Sequence, residues 1–245
     1  MISLFRKIRQ KLFDSGDFKK YLFYAFGEII LVVIGILIAV QINNWNESKK
    51  LEEKKQQYYD QLLSDIATDT TNIHYFIKRI ESSINSYETY VETFSESDIA
   101  VETTIENLSK VEYTYPIINF YTNTMTTLKE TGDLKLIPTN IQNSLLDILR
   151  LQSTVENQRN QLDPAYLSLL SEARKLGFSS LSKRLSNQSK LAEVVKIEEN
   201  VGEIILTIEA ALVVKNWVEI DRLESFNNLL IKYRNLEKQI MLEKE

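Results

Sequence analysis

YLFYAFGEIILVVIGILIAVQINN, residues Tyr21 to Asn44, is the stretch whose reading decides the fold. From Ile29 to Val40 it holds only apolar residues and Gly35. A soluble surface helix keeps one polar face, and this segment has none. A bilayer core takes roughly 20 mostly apolar residues in a helix, and Tyr21 to Ile42 supplies that length with a single carboxylate, Glu28. The stretch predicts one membrane span over residues 21–44. A basic cytoplasmic segment at 1–20 precedes it, and a helical periplasmic domain at 45–245 follows.

The first 20 residues, MISLFRKIRQKLFDSGDFKK, place Ile2, Phe5, Ile8 and Leu12 on one helical face and Arg6, Lys7, Arg9 and Lys11 around the rest. That pattern predicts a short amphipathic helix lying on an anionic lipid surface. With Lys19 and Lys20, six basic residues precede the span. Four follow closely (Lys49, Lys50, Lys54, Lys55), interleaved with Glu47, Glu52 and Glu53. Excess Lys and Arg stay on the cytoplasmic side, so the N-terminus is expected inside and the bulk of the chain outside. The apolar run is longer than the ~7–15 residues of a signal-peptide core, and no small-x-small cleavage pattern follows it. Trp45 stands where an interfacial aromatic anchors a retained helix.

Composition narrows the classes that remain. The 245 residues carry a net charge of −5, without the clustered basic face that nucleic-acid binding needs. No cysteine and one histidine are present. That leaves almost no material for thiolate metal sites or for Ser-His and Cys-His nucleophile pairs. Three prolines and six glycines punctuate the chain sparsely, as in long helices.

Beyond the span the period is helical. Tyr59, Leu63, Ile66, Thr70, Ile73, Ile77, Ile80, Ile84, Tyr87, Val91 and Phe94 step alternately by four and three, the pattern of a coiled-coil seam or of the inner face of an antiparallel bundle. The helix available downstream favours packing within the chain. Ser95 to Asp98 reads as a loop, and Val101, Ile105 and Leu108 as a short helix. Val111 to Tyr115 alternates apolar and polar residues, consistent with a short strand ended by Pro116. A helix through Tyr121, Met125 and Leu128 is expected to stop at Gly132, which suits a position with φ > 0. Thr139 or Asn140 is expected to cap the next helix, and Pro164 to open another that Gly177 closes. Residues 178–200 read as a polar loop with short helical pieces. From Val201 the run Ile204, Ile205, Leu206, Ile208, Leu212, Val213 continues through Trp217, Ile220, Leu223, Phe226, Leu230, Tyr233, Leu236 and Ile240. The predicted fold class is all-α: one N-terminal transmembrane helix followed by an elongated antiparallel helical bundle or coiled coil.

Three segments, FRKIRQKL at 5–12, GEIILVVIGILIAVQINNWNE at 27–47 and LKETGDLKLI at 128–137, carry a resemblance. The chain resembles an uncharacterised single-span inner-membrane protein family of flavobacteria and related Bacteroidota, a domain of unknown function. The resemblance implies an inner-membrane anchor with a helical periplasmic part. It implies no activity and no catalytic residue.

Candidate sites are few. His74 has Thr70 and Lys78 as its i±4 neighbours, neither a useful partner for a zinc site, and is expected to be a solvated or interfacial histidine. Asp65 and Asp69 lie four apart on one helix, and a hydrated outer face is the ordinary place for such a pair. No nucleotide-binding, P-loop, nucleophile-elbow or zinc-protease string occurs. Glu28 stands out, because a carboxylate at a bilayer's centre costs about 2.5–3.5 kcal/mol on insertion scales. Gly35 and Ala39 form a small-xxx-small step, and Gly27 lies two turns earlier on roughly the same face. Together Gly27, Gly35 and Ala39, with Glu28 beside them, predict a membrane helix-packing face used for self-association or for a larger membrane partner. Trp45 is the expected interfacial anchor.

No catalytic residue, metal or cofactor is expected, nor any nucleic-acid partner; the lipid bilayer is. The function read from the residues is binding or scaffolding from the bacterial inner membrane. One alternative is a periplasmic ligand-sensing input domain acting through a membrane partner. Another is a membrane-tethered hydrolase using carboxylates.

Overall fold

The computed structural model describes residues 18–95, 98–114, 117–179, 184–185 and 187–244, without the side chains of residues 18, 20, 21 and 158–163. The expected in-plane helix at the N-terminus lies outside the described residues, as do Glu96 and Ser97 of the expected loop and Tyr115 and Pro116. All regular structure among the described residues is helical. The α-helices are α1 (Phe18–Glu92), α2 (Val101–Lys110), α3 (Asn123–Glu130), α4 (Thr139–Leu176), α5 (Ser189–Val195) and α6 (Val201–Lys244).

The chain divides into two compact units, Met1–Gln57 and Tyr58–Glu245. In the first, α1 is apolar on all sides from Ile29 to Val40 and mostly polar from Asn43 onward. Its polar part carries exposed i,i+4 pairs, Asn43 with Glu47 (3.2 Å) and Gln56 with Glu52 (3.0 Å). Such pairs stabilise an exposed helix surface.

The second unit is built on three long helical segments. Tyr58 of α1 donates to Asp133 (2.6 Å), close before the start of α4, and Asp69 accepts from Gln152 of α4 (3.3 Å), so α1 and α4 run parallel. Ser83 meets Glu219, and Asp69 meets Tyr233, so α6 runs antiparallel to α1. Ser144 meets Gln239, so α6 is antiparallel to α4 as well. Two parallel helices need a return path, and residues 98–138 provide it. Glu112 pairs with Arg79, the amide of Tyr121 bonds Asp69, and Asp133 bonds Tyr58, which carries the chain back down the length of α1.

Two apolar cores fill this unit. One gathers Tyr59, Ile66, Ile73 and Ile80 of α1, Ile141, Leu145 and Ile148 of α4, and Phe226, Leu229, Tyr233 and Leu236 of α6. The other gathers Tyr90, Leu108, Tyr166, Leu170, Ile204, Ile208 and Leu212. The heptad stripe of α1 thus packs within the chain, with a shift at four positions. Tyr59, Ile66, Ile73, Ile77 and Ile80 are buried as the period predicts. Other buried seam positions are Leu62, Asp69, Ser83 and Tyr90, one residue before the expected Leu63, Thr70, Ile84 and Val91, of which Leu63 and Ile84 are partly buried against the core. Val91 and Phe94 are exposed.

Four local expectations are corrected. Val111 to Thr114 forms no strand; Val111 enters the second core and Tyr113 donates its hydroxyl to the Leu108 carbonyl (2.8 Å), so packing on a helix replaces a ladder that would need a second strand. Pro164 lies inside α4 and does not open a helix. A proline in a helix interior costs about 3 kcal/mol. Val155 in one core and Tyr166 and Leu170 in the other hold the helix on both sides of it. The N-cap of α4 is Pro138, whose carbonyl accepts from Gln142 (2.9 Å), and neither Thr139 nor Asn140. Trp217 and Ile220 face outward on α6 and do not join its buried stripe.

The helix stops fall as expected. Gly132 (φ +72°) follows α3, and Gly177 (φ +119°) ends α4. At Gly177 the Phe178 amide bonds Ala173 (2.9 Å) and the Gly177 amide bonds Arg174 (3.2 Å), a Schellman closure. Residues 178–200 contain α5 and a 3₁₀ turn at Ile197–Asn200; residues 180–183 and 186 are not among those described.

Candidate functional site

The residues singled out near the N-terminus share one helix. Gly27, Gly35 and Ala39 are exposed, Glu28 is half-exposed and Trp45 is exposed. A Cβ added at Gly27 or Gly35 would meet nothing within 4 Å. The most apolar 18-residue window of the helix has a mean hydropathy of 2.6, and none of it is buried. Among the described residues, nothing covers this apolar surface.

Inside the bundle, polar chemistry sits where the sequence conceals it. Asp69 is only 1% exposed, which corrects its reading as part of a hydrated pair. Its carboxylate accepts from the Tyr233 hydroxyl (2.7 Å), the Tyr121 amide (2.9 Å) and Gln152 Nε2 (3.3 Å). Burial raises its pKa against the pull of these donors. The same burial, with the carboxylate beside it, raises that of the Tyr233 phenol.

About 21 Å further along α1, between the two cores, lies a second buried cluster. Lys215 donates to Glu219 (2.7 Å) and to Ser83, and Ser83 donates to Glu219 (2.9 Å). Burial is the main cause that raises the Glu219 pKa, and Lys215 opposes it. Lys215 and Glu219 are i,i+4 neighbours on one turn of α6, so the helix itself brings the two charges together. Asp69 and Glu219 thus belong to separate networks, each occupied by donors. Asp69 and Glu219 do not converge on each other, and a third buried acid, Asp133, accepts from Tyr58 and Thr131. Among the described residues no group of three His, Cys, Asp or Glu could hold a metal ion. His74 is exposed.

A larger concave feature lies elsewhere in the unit. A cleft of about 890 Å³ opens between α2, the Gly177 turn and the 3₁₀ turn that precedes α6. Its apolar wall includes Ile105, Tyr113, Phe178 and Ile197, and Glu102, Glu106 and Glu198 also line it. Tyr113 and Phe178 meet edge-to-face with ring centroids 5.4 Å apart. The Tyr113 hydroxyl is tied to Leu108, and its carbonyl accepts from Tyr166 (2.8 Å), so the ring is held at both ends. Ile197 packs against the bare Cα of Gly177, where an added Cβ would sit 2.9 Å from Ile197 Cγ2. The sequence pattern places Ile105 on a short helix and Gly177 at a helix end, and marks none of these residues as a site. Glu102 and Glu106 read as an ordinary helix surface, and Phe178 and Ile197 as parts of a polar loop. Only the return of residues 98–114 along α1 brings them together.

No curated protein and no solved structure matches this chain. A family model does match, over residues 28–206, from the apolar helix through the return segment and α4 into the start of α6. With that match across most of its length, the chain belongs to the family of unknown function DUF6090.

Proposed function

We propose that the protein is a single-span protein of the bacterial inner membrane, as the resemblance to the Bacteroidota family implies. Residues 21–44 form its anchor, the N-terminus is cytoplasmic, and residues 45–245 act in the periplasm by binding or scaffolding and not by catalysis. The observation that carries this reading is the apolar N-terminal stretch of α1, none of which is buried among the described residues. Water is a poor solvent for that surface, and a bilayer is a good one. The excess of basic residues ahead of the span supports the orientation. Trp45 supports an interface at the far end. Gly27, Gly35 and Ala39, with Glu28 beside them, offer a face on which a second copy or a larger membrane protein packs closely. On α6, Leu206 (74% exposed), Trp217 (70%) and Ile220 (51%) add an apolar stripe of the kind that marks contact surfaces.

Membrane fractionation tests the anchor. The full chain is expected to stay in the pellet through alkaline carbonate washing and to lose its C-terminal part to protease in spheroplasts but not in intact cells. Recovery in the carbonate supernatant defeats the membrane reading, and protection in spheroplasts defeats the orientation. Cysteines placed singly along 27–40 are expected to crosslink with helical periodicity; a flat profile removes the packing face. A second reading, a ligand-sensing input domain acting through a membrane partner, is favoured by one observation, the cleft beside α2.

A further inference from the structure

We propose that the cleft beside α2 binds a small organic cation, an ammonium or guanidinium group carried on an apolar body. The inference rests on the ligand-sensing reading and is independent of the membrane placement. Size comes first: about 890 Å³ lies within the range of pockets that hold small molecules, and well above the few tens of Å³ that a water needs.

Charge selects the class of occupant. Among the described residues, Glu102, Glu106 and Glu198 line the cleft, and no Lys or Arg does. Lys110 pairs with Glu106 (3.0 Å) at the exposed surface and offsets one of the three charges. An anion entering here meets a net negative wall, and a neutral molecule leaves that wall unused. The aromatic pair adds a second, independent preference. The rings of Tyr113 and Phe178 carry negative faces that attract a cation within about 6 Å of a ring centroid. Fixed by Leu108 and Tyr166, the Tyr113 ring does not have to be ordered when a ligand arrives. Ile105 and Ile197 complete an apolar surface for the body of the ligand.

The test uses the full chain in nanodiscs of zwitterionic lipid. Three probes of one shape are titrated by calorimetry: naphthylmethyl-trimethylammonium, its neutral tert-butyl isostere and naphthylmethyl sulfonate. The cation is expected to bind saturably, about tenfold tighter than the sulfonate, with an affinity that falls as salt rises. The triple variant Glu102→Gln, Glu106→Gln, Glu198→Gln changes only exposed side chains and is expected to keep its unfolding temperature. It should bind the cation about tenfold more weakly and the neutral isostere unchanged. Ile105→Arg, which puts a cation into the cleft, should abolish binding of the ammonium probe.

Equal or tighter binding of the sulfonate, or a triple variant that keeps full affinity for the cation, overturns the cation proposal and leaves the cleft as a ligand site of another class. Absence of binding by all three probes removes both this proposal and the sensing reading, and leaves the anchor untouched.

Discussion

Asp69 shows what one buried carboxylate does for a helical bundle. Three donors, from α4, α6 and the return segment, converge on it from elements far apart in the chain. Removing the acceptor leaves buried donors unpaired, at about 1–3 kcal/mol for each group stranded. Asp69→Ala is therefore expected to lower unfolding stability by about 2–4 kcal/mol in denaturant titrations. Asp69→Asn, which keeps one acceptor oxygen, is expected to lose less. The pH dependence has a definite sign. Because the folded pKa lies above the usual 3.8, the folded state holds its proton to higher pH than the unfolded chain. The contribution of Asp69 to stability is largest below about pH 4 and falls as pH rises through the folded value. That slope should be absent from both variants. The two positive-φ glycines give a paired prediction. Gly132→Ala meets open space and suffers only the left-handed backbone, about 1–2 kcal/mol. Gly177→Ala adds a clash with Ile197 and is expected to cost more, and to disturb the cleft as well.

The polar layer on α6 separates two apolar cores along one helix. Lys215 and Glu219 neutralise each other out of water, and a buried pair of this kind is costly to break from one side. Lys215→Met alone leaves Glu219 charged and enclosed, and is expected to destabilise by about 3–5 kcal/mol. The double variant Lys215→Met, Glu219→Leu is expected to return to within about 1 kcal/mol of the parent, or above it. Thermal unfolding of the single and double variants checks both values; a double variant as damaged as the single one would mean that Ser83 and the surrounding polar groups depend on the pair. The same polar positions explain the seam of α1. Asp69 and Ser83 occupy buried seam positions, and hydrophobicity therefore moves the apparent stripe onto Thr70 and Ile84 next to them. A periodicity count finds the helix and the correct period, and places four positions of the buried face one residue too far along.

At the scale of the molecule, the division at Gln57 separates two kinds of solvent problem. The unit Tyr58–Glu245 buries its own cores, so a fragment of residues 58–245 is expected to be soluble, helical by circular dichroism, and to unfold cooperatively without the apolar segment. Heavy aggregation of that fragment would show that its exposed apolar stripe needs cover from the rest of the protein or from a partner. Residues 18–57 have no core of their own, and their apolar surface finds no partner within them.

The sequence by itself determined the all-α class, the exposed apolar helix and the glycine stops at 132 and 177. Each depends on local quantities: hydropathy over one window, a period along one helix, or the φ tolerance of one residue. Tertiary structure alone decided that Asp69, Lys215 and Glu219 are buried, that Pro164 stays within a helix, that residues 111–114 pack without a strand, and that the cleft exists. These depend on which distant side chains meet. A buried carboxylate and a solvated one have the same local sequence, and only the donors that fold around the carboxylate distinguish them.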